Sequence, residues 1–329
     1  MSTRMYTLPV EQTQWHVPCV GSTTIFNWEY DEGRDKLLGL YEKGKTKQWN
    51  ANDRLDWSLE VDLSNPLGFP DHYVSIYGSE IWNKMDEKDR SQVRLHLDSW
   101  RFSQFLHGEQ GALVVCGQLV NSIPELDAKL YASTQVVDEG RHVEVFERYV
   151  KKLHKIYPVD PLLKSLLDEI LATNLWELKL LGMQMIVEGL AIAAFNLMRR
   201  QTGDPTLGEL LDYVLQDEGR HVNFGYFALR RSIPNMDAAK REYLEDFTFK
   251  ACDHMYARDE RTGFQSIKSV WTEMGWDGED LWRDTIRNSQ TTKSFNSFLF
   301  RENLMPRLQR LGLISERIAP RYRELGLLE

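Results

Sequence analysis

Cysteine is scarce in this chain: Cys19, Cys116 and Cys252 stand far apart and form no Cys-x-x-Cys pair. That excludes a disulfide framework and a thiolate metal site, and it fits a reducing, cytoplasmic setting. An excess of basic charge is also missing. Forty Lys and Arg against 49 Asp and Glu leave a net charge of -9, where a nucleic-acid partner calls for the opposite sign. No long apolar run follows Met1, so no signal peptide is expected. One stretch, Leu180–Met198, approaches the length of a membrane span, but it holds Gln184, Glu188 and Asn196. A carboxylate at mid-bilayer is expensive, so the expected reading is a buried helix and no membrane.

What remains is an ordinary globular composition, 42% hydrophobic and 27% charged over 329 residues, enough for a sizeable core. Residues 1–88 read as an irregular cap with one helix near Glu32–Gln48. From Asp89 the pattern turns helical. Long helices are predicted over Asp89–Ser122, Pro124–Tyr157, Pro161–Arg200 and Asp204–Ser232, with Asp204-Pro205 as an N-cap and first-turn pair. Short connections between long helices imply antiparallel neighbours. The fold class expected is therefore all-α: a four-helix core over 89–232 with additional N- and C-terminal helices. Residues 233–329 extend it, with a helix over Met236–Arg261 and helix stops at Leu311-Gly312-Leu313 and Leu325-Gly326-Leu327. No low-complexity linker divides the chain, so 1–329 is expected to form one domain. The segment Arg283–Arg323 carries nine Lys and Arg against Asp284, Glu302 and Glu316. Either it docks an acidic protein or it pairs with the acidic body of the chain.

The hexapeptide Asp-Glu-Gly-Arg-His-Val occurs twice, at Asp138–Val143 and Asp217–Val222. Inside each is Glu-x-x-His, Glu139 with His142 and Glu218 with His221. Three residues on a helix bring both side chains to one face, about 5–6 Å apart at Cβ, as two ligands of one metal require. The other two long helices each carry a glutamate in mid-face. Glu109 lies among Phe102, Phe105, Leu106, Ala112 and Cys116; Glu188 lies among Leu181, Met185, Ala191, Ile192 and Phe195. A buried carboxylate is strongly unfavourable unless it is paired or ligates a cation. The spacing from Glu109 to Glu139 equals that from Glu188 to Glu218, and all three members of the second set follow the first at one constant offset. Two helix hairpins thus present the same three ligands about an approximate two-fold axis, a known pattern for two-metal carboxylate sites in helix bundles. Pairing of Glu109 and Glu188 with Arg141 and Arg220 is the bland alternative, and it leaves the matching histidines unexplained. Oxygen and imidazole donors favour iron or manganese. Asp138 and Asp217 are placed to accept the free imidazole N–H of the histidine on the opposite hairpin, with Arg141 and Arg220 balancing them.

Those residues resemble the ferritin-like superfamily of di-iron carboxylate proteins. The repeated Asp-Glu-Gly-Arg-His looks like the motif of its oxygen-activating branch, which includes bacterial multicomponent monooxygenase hydroxylases, ribonucleotide reductase small subunits and acyl-carrier desaturases. The resemblance covers about residues 89–232. It implies two iron ions, or a manganese/iron pair, held by Glu109, Glu139, His142, Glu188, Glu218 and His221. It further implies an O2-dependent oxygenase that acts on a small organic substrate through a peroxo-type intermediate. No flavin, nicotinamide or Fe–S motif is present, so electrons must come from an external reductase or ferredoxin. The same kinship allows a homodimer, a ferroxidase or storage role, or a radical-generating subunit of the ribonucleotide reductase type. Phe146 stands where radical-bearing subunits carry tyrosine, Ile192 where several hydroxylases carry threonine, and Val214 where arylamine N-oxygenases add a third histidine. Phe146, Ala191, Ile192 and Gly225 are the expected substrate pocket.

Overall fold

The computed structural model describes residues 24–26, 36–288 and 290–329, and the side chains of 287–292 are not among those described. Among the described residues there is no strand. Thirteen helices follow one another: α1 Lys36–Thr46, α2 Ala51–Arg54, α3 Glu80–Lys84, α4 Glu87–Ser122, α5 Leu126–Leu153, α6 Pro161–Ala172, α7 Trp176–Gln201 and α8 Pro205–Ser232 lead into the C-terminal set. That set comprises α9 Ala238–Met255, α10 Ile267–Glu273, α11 Gly278–Asn288, α12 over 290–311 and α13 Ala319–Glu324. The first residues of the helix expected at Glu32–Gln48 lie outside the described residues; its remainder is α1.

The core bundle is α4, α5, α7 and α8. Local chemistry sets its ends. Asp86 caps α4 by accepting from the Asp89 N–H at 2.9 Å, and Asp204 caps α8 by accepting from the Leu207 N–H at 2.8 Å, with Pro205 in the first turn as expected. The second helix stops at Leu153, four residues short of the expected Tyr157, because His154 leaves helical geometry ahead of Pro158.

The third expected helix, Pro161–Arg200, is two helices. The Leu175 N–H turns back onto the Thr173 hydroxyl at 3.1 Å, a local bond that competes with helix continuation. Lys179, 1% exposed, then donates to the Ile170 and Leu171 carbonyls at 2.9 and 3.2 Å and closes the end of α6. Gly182 permits the close crossing that follows, since a Cβ there would lie 2.5 Å from Ile170 Cγ1. Within α7, Leu181–Val187 is wound as a π-helix that ends at Glu188. Such segments gather at functional sites because they re-aim the side chains beyond them. By length and composition α7 could cross a membrane, yet 67% of its apolar window is buried against the rest of the chain.

The cap is tied to the bundle, with the Gly203 N–H and the Thr202 hydroxyl both donating to the Leu67 carbonyl, at 2.9 and 3.0 Å. At the other end both expected stops are present, Gly312 and Gly326 having φ of 75° and 71°. The basic C-terminal segment pairs inward: Arg317 reaches Glu245 and Asp246, and Arg321 reaches Asp246. Arg307 donates to the Gly189 carbonyl. Of the two readings of this segment, these contacts favour pairing with the body.

Candidate metal centre

Four helices bring Glu109 (α4), Glu139 and His142 (α5), Glu188 (α7), and Glu218 and His221 (α8) to one place in the interior, none more than 6% exposed. One donor atom from each of Glu139, His142, Glu218 and His221 lies within 4.8 Å of every other. Glu139 and Glu218 occupy the middle. Glu139 oxygens stand 3.4 Å from His142 Nδ1 and 3.1 Å from His221 Nδ1; Glu218 oxygens stand 3.1 and 3.7 Å from the same two atoms. Glu109 flanks His142 at 3.3 Å and Glu188 flanks His221 at 4.0 Å. The approximate two-fold axis read from the spacing is visible in these pairs.

The outward ring nitrogens are held crosswise. His142 Nε2 is 3.2 Å from Asp217 and His221 Nε2 is 3.3 Å from Asp138, so each histidine meets the aspartate of the other hairpin. Arg141 donates to Asp138 at 2.6 Å and to Asp217 at 3.0 Å, while Arg220 contacts the same two carboxylates. Breaking a buried pair of this kind by removing one partner costs about 3–5 kcal/mol, because a charge is left uncompensated. Three residues that sequence reasoning missed complete the shell. Trp49 Nε1 donates to Asp217 at 2.8 Å and Gln48 Nε2 to Asp138 at 2.8 Å, both from the loop after α1. Gln135 Nε2 donates to Glu139 and Glu188 at 2.9 and 3.0 Å. Gln135 precedes Glu139 by one helical turn, so its face was readable; the Gln48 and Trp49 contacts span 90 and 168 residues and leave no periodic trace.

Without a cation the site is electrostatically strained. Burial, and then the neighbouring Glu218, push Glu109 up to about 8, and burial with Glu139 pushes Glu188 well above its ordinary range. For His142 burial works against the charged ring, but Asp217, Glu109, Glu139 and Glu218 outweigh it and the net shift is strongly upward. His221 moves the same way. The sign of the linkage follows. A folded-state value near 8 against an ordinary 4.5 gives stability that is full below about 4.5 and is lost as pH rises through about 8. The metal-free protein should therefore melt progressively lower between about pH 5 and pH 9, and added metal should flatten that slope by replacing the protons. Thermal melts with and without metal check this; a metal-free midpoint that rises with pH would contradict it.

The atoms present fit cations. Glu139 Oε2, Glu188 Oε2, both Glu218 oxygens and His221 Nδ1 are buried with no hydrogen-bond partner, which is costly unless a metal takes them. A cavity of about 700 Å³ opens beside them, and Glu109, Glu188, Glu218 and Ala191 are in its wall. Phe146, Ile192 and Gly225, expected there, are not. Phe146 packs among Phe102, Phe105 and Phe195 with ring centroids 5.4–6.3 Å away. Gly225 leaves no space, because a Cβ there would sit 2.7 Å from Gln184 Cβ; the glycine serves a close helix crossing.

Comparison with known proteins agrees with this geometry. The chain over residues 31–299 matches the family model described as P-aminobenzoate N-oxygenase AurF. No curated protein matches. Among solved structures, a point mutant of an R2-like ligand-binding oxidase with an anaerobically reconstituted Mn/Fe cofactor aligns at TM-score 0.52 and 18% identity, over 87% of this chain and 99% of that one. An R2-like ligand-binding oxidase with an aerobically reconstituted Mn/Fe cofactor aligns at 0.51 and 18%, over 87% and 98%. That likeness shows the fold. Val214, fully buried, was read as a departure from the arylamine N-oxygenases, and the match to the family model over residues 31–299 corrects that reading. With its buried carboxylate–histidine site for two metal ions, the chain belongs to the P-aminobenzoate N-oxygenase AurF family and is an oxygen-activating oxygenase.

Proposed function

We propose that Glu109, Glu139, His142, Glu188, Glu218 and His221 hold two iron ions and that the enzyme is a monooxygenase, placing one atom of O2 on an organic substrate. The observation that carries this is the set of buried, partnerless carboxylate oxygens facing two histidines. A manganese/iron pair suits the same donors and is the cofactor named for the structural neighbours. Bound iron supplies the reduction of O2 and the oxidising power for the substrate.

The protein's own groups do the rest. Asp138 and Asp217 fix the tautomer and direction of His221 and His142, keeping each Nδ1 turned inward. Arg141 and Arg220 each pair with both aspartates and balance their buried charge. Gln135 bridges Glu139 and Glu188 and limits their swing. The aromatic pack around Phe146 closes one side against water, and the cavity admits substrate along the side of Glu109 and Glu188. A storage role has no use for such a cavity, which supports the oxygenase reading. Electrons come from an external reductase or ferredoxin. The reach of Gln48 and Trp49 from the cap into the site supports treating 1–329 as one domain, and the scarcity of cysteine supports a cytoplasmic location.

The test is a reaction of iron-loaded enzyme with chemical reductant, 18O2 and a panel of aryl amines, analysed by mass spectrometry. One labelled oxygen is expected in the first product, the hydroxylamine, with the other atom of O2 leaving as water. Oxygen derived from water instead would overturn the monooxygenase reading.

A further inference from the structure

Among the described residues, the lining residues of the cavity carry two groups of buried polar atoms that have no hydrogen-bond partner. Glu188 Oε2 and both Glu218 oxygens form the first group and belong to the metal centre. The second is Ser75 Oγ from the cap, Gln201 Oε1 from the last residue of α7, and Trp271 Nε1 from α10. About three and a half turns of α7 separate Gln201 from Glu188, so this second group lies apart from the metal ligands.

The packing gathers its three members. Gln201 Nε2 donates to the hydroxyl of Tyr73, two residues before Ser75. Val74 and Ile76, on either side of Ser75, pack in one apolar cluster with Trp271 and with Leu97 of α4. Tyr73 and Leu97 line the same cavity. Trp271 is 1% exposed, so bulk water does not reach its N–H. Two other tryptophans in the wall, Trp100 and Trp282, spend their indole N–H groups on Ser266 Oγ at 2.8 Å and on the Glu260 carbonyl at 3.1 Å. Trp271 does not. Buried polar atoms left in this way are few in native proteins, and each calls for water or a ligand.

We propose that Ser75, Gln201 and Trp271 form a subsite for an uncharged group that both donates and accepts hydrogen bonds, a hydroxyl or a carboxamide, on the part of an organic substrate remote from the metal centre. This rests on the proposed function only in taking the cavity as the place where substrate lies. The atoms decide the class. Gln201 Oε1 accepts only, Trp271 Nε1 donates only, and Ser75 Oγ does either. A carboxylate has no proton for Gln201, and an ammonium has no lone pair for Trp271. A hydroxyl or carboxamide answers both. No counter-ion is on hand either: Arg94 and Asp71, the charges beside this segment, pair with each other at 2.7 Å, and neither is in the cavity wall. An apolar group would leave all three atoms unpaired, and a site built to hydrogen-bond a group rejects the analogue that lacks it.

Four fragments test it: benzamide, benzyl alcohol, toluene and benzoate, titrated into the full chain labelled with 15N-tryptophan. The protein is used metal-free and with zinc as a diamagnetic occupant of the metal centre. The reporter is the indole N–H signal of Trp271, identified by its loss in Trp271→Phe, so binding elsewhere in the cavity is not counted. Benzamide and benzyl alcohol should move this signal saturably, with affinities about tenfold or more above those of toluene and benzoate. Gln201→Leu and Ser75→Ala should each weaken benzamide about fivefold or more and leave toluene unchanged or tighter. Should Gln201→Leu disturb the fold, Ser75→Ala removes a single oxygen and carries the same comparison. Toluene or benzoate acting on the Trp271 signal as tightly as benzamide, or no fragment moving it, would overturn the proposal. The titration should read alike with and without zinc, so failure of the metal centre shows in the zinc content and failure of the subsite shows in the Trp271 signal.

Discussion

Glu139→Ala and Glu218→Ala each lose one or both metal ions while the bundle stays folded. Both glutamates stand between the two histidines, each with one oxygen near His142 Nδ1 and the other near His221 Nδ1. Removing either would take a carboxylate from between the two histidines, where the metal ions would be held. Folding survives for a physical reason. Each glutamate is one of four carboxylates in the cluster, so both histidines keep other carboxylate neighbours when one is removed, and alanine is the best helix former. Elemental analysis of the purified variants, alongside their circular dichroism, decides the matter. Two ions retained per chain in either variant would remove these residues from the ligand set.

How much of this was legible in the residues depends on the distance over which the physics acts. The repeated Asp-Glu-Gly-Arg-His and the equal spacings are helical-period signals, and the structure brings all six candidate ligands together. The crosswise aspartates were likewise readable, because a two-fold relation between hairpins leaves each His facing the other hairpin's Asp. Of the four expected pocket residues Ala191 lines the cavity and Phe146, Ile192 and Gly225 do not, because the size of a residue does not say which neighbour fills the space beside it. Gly225 is small so that Gln184 can approach, and the open volume lies instead along α4 and α7 beside Ala191. The break after Ala172 was missed because it depends on a threonine turn and on Lys179 folding back onto α6, neither of which disturbs the apolar period. Trp49 and Gln48 were invisible for the same reason, since a loop contact spanning many residues has no period to read.

Oxidation of the reduced enzyme by O2 leaves no long-lived tyrosyl radical. The residue one turn beyond His142 is Phe146, whose ring has no phenol to oxidise. Two buried tyrosines remain on α5. Tyr149 is seven residues past His142, about 10 Å along the helix, and Tyr131 is eight residues before Glu139, about 12 Å. Forming a neutral tyrosyl radical requires the phenol proton to leave as the electron does. The Tyr131 hydroxyl is buried with no hydrogen-bond partner, and burial pushes its proton affinity up strongly. Tyr149 has only a long contact to Asp204 at 3.4 Å, and burial with that carboxylate raises its pKa as well. Both features disfavour oxidation. Freeze-quenched samples followed by electron paramagnetic resonance should show no persistent tyrosyl doublet. A doublet that persists and vanishes in Tyr149→Phe or Tyr131→Phe would move the enzyme from oxygenation towards radical generation.

The central claim is a closed site for two metal ions that works on O2 and an organic molecule. Its most direct test is anaerobic titration of the metal-free protein with ferrous iron, followed by O2 and a second determination of bound iron. Binding should saturate at two ions per chain, and the count should stay at two after oxygen is admitted. Uptake that continues to many ions per chain would identify a storage protein, and saturation at none or one would contradict the six-residue site.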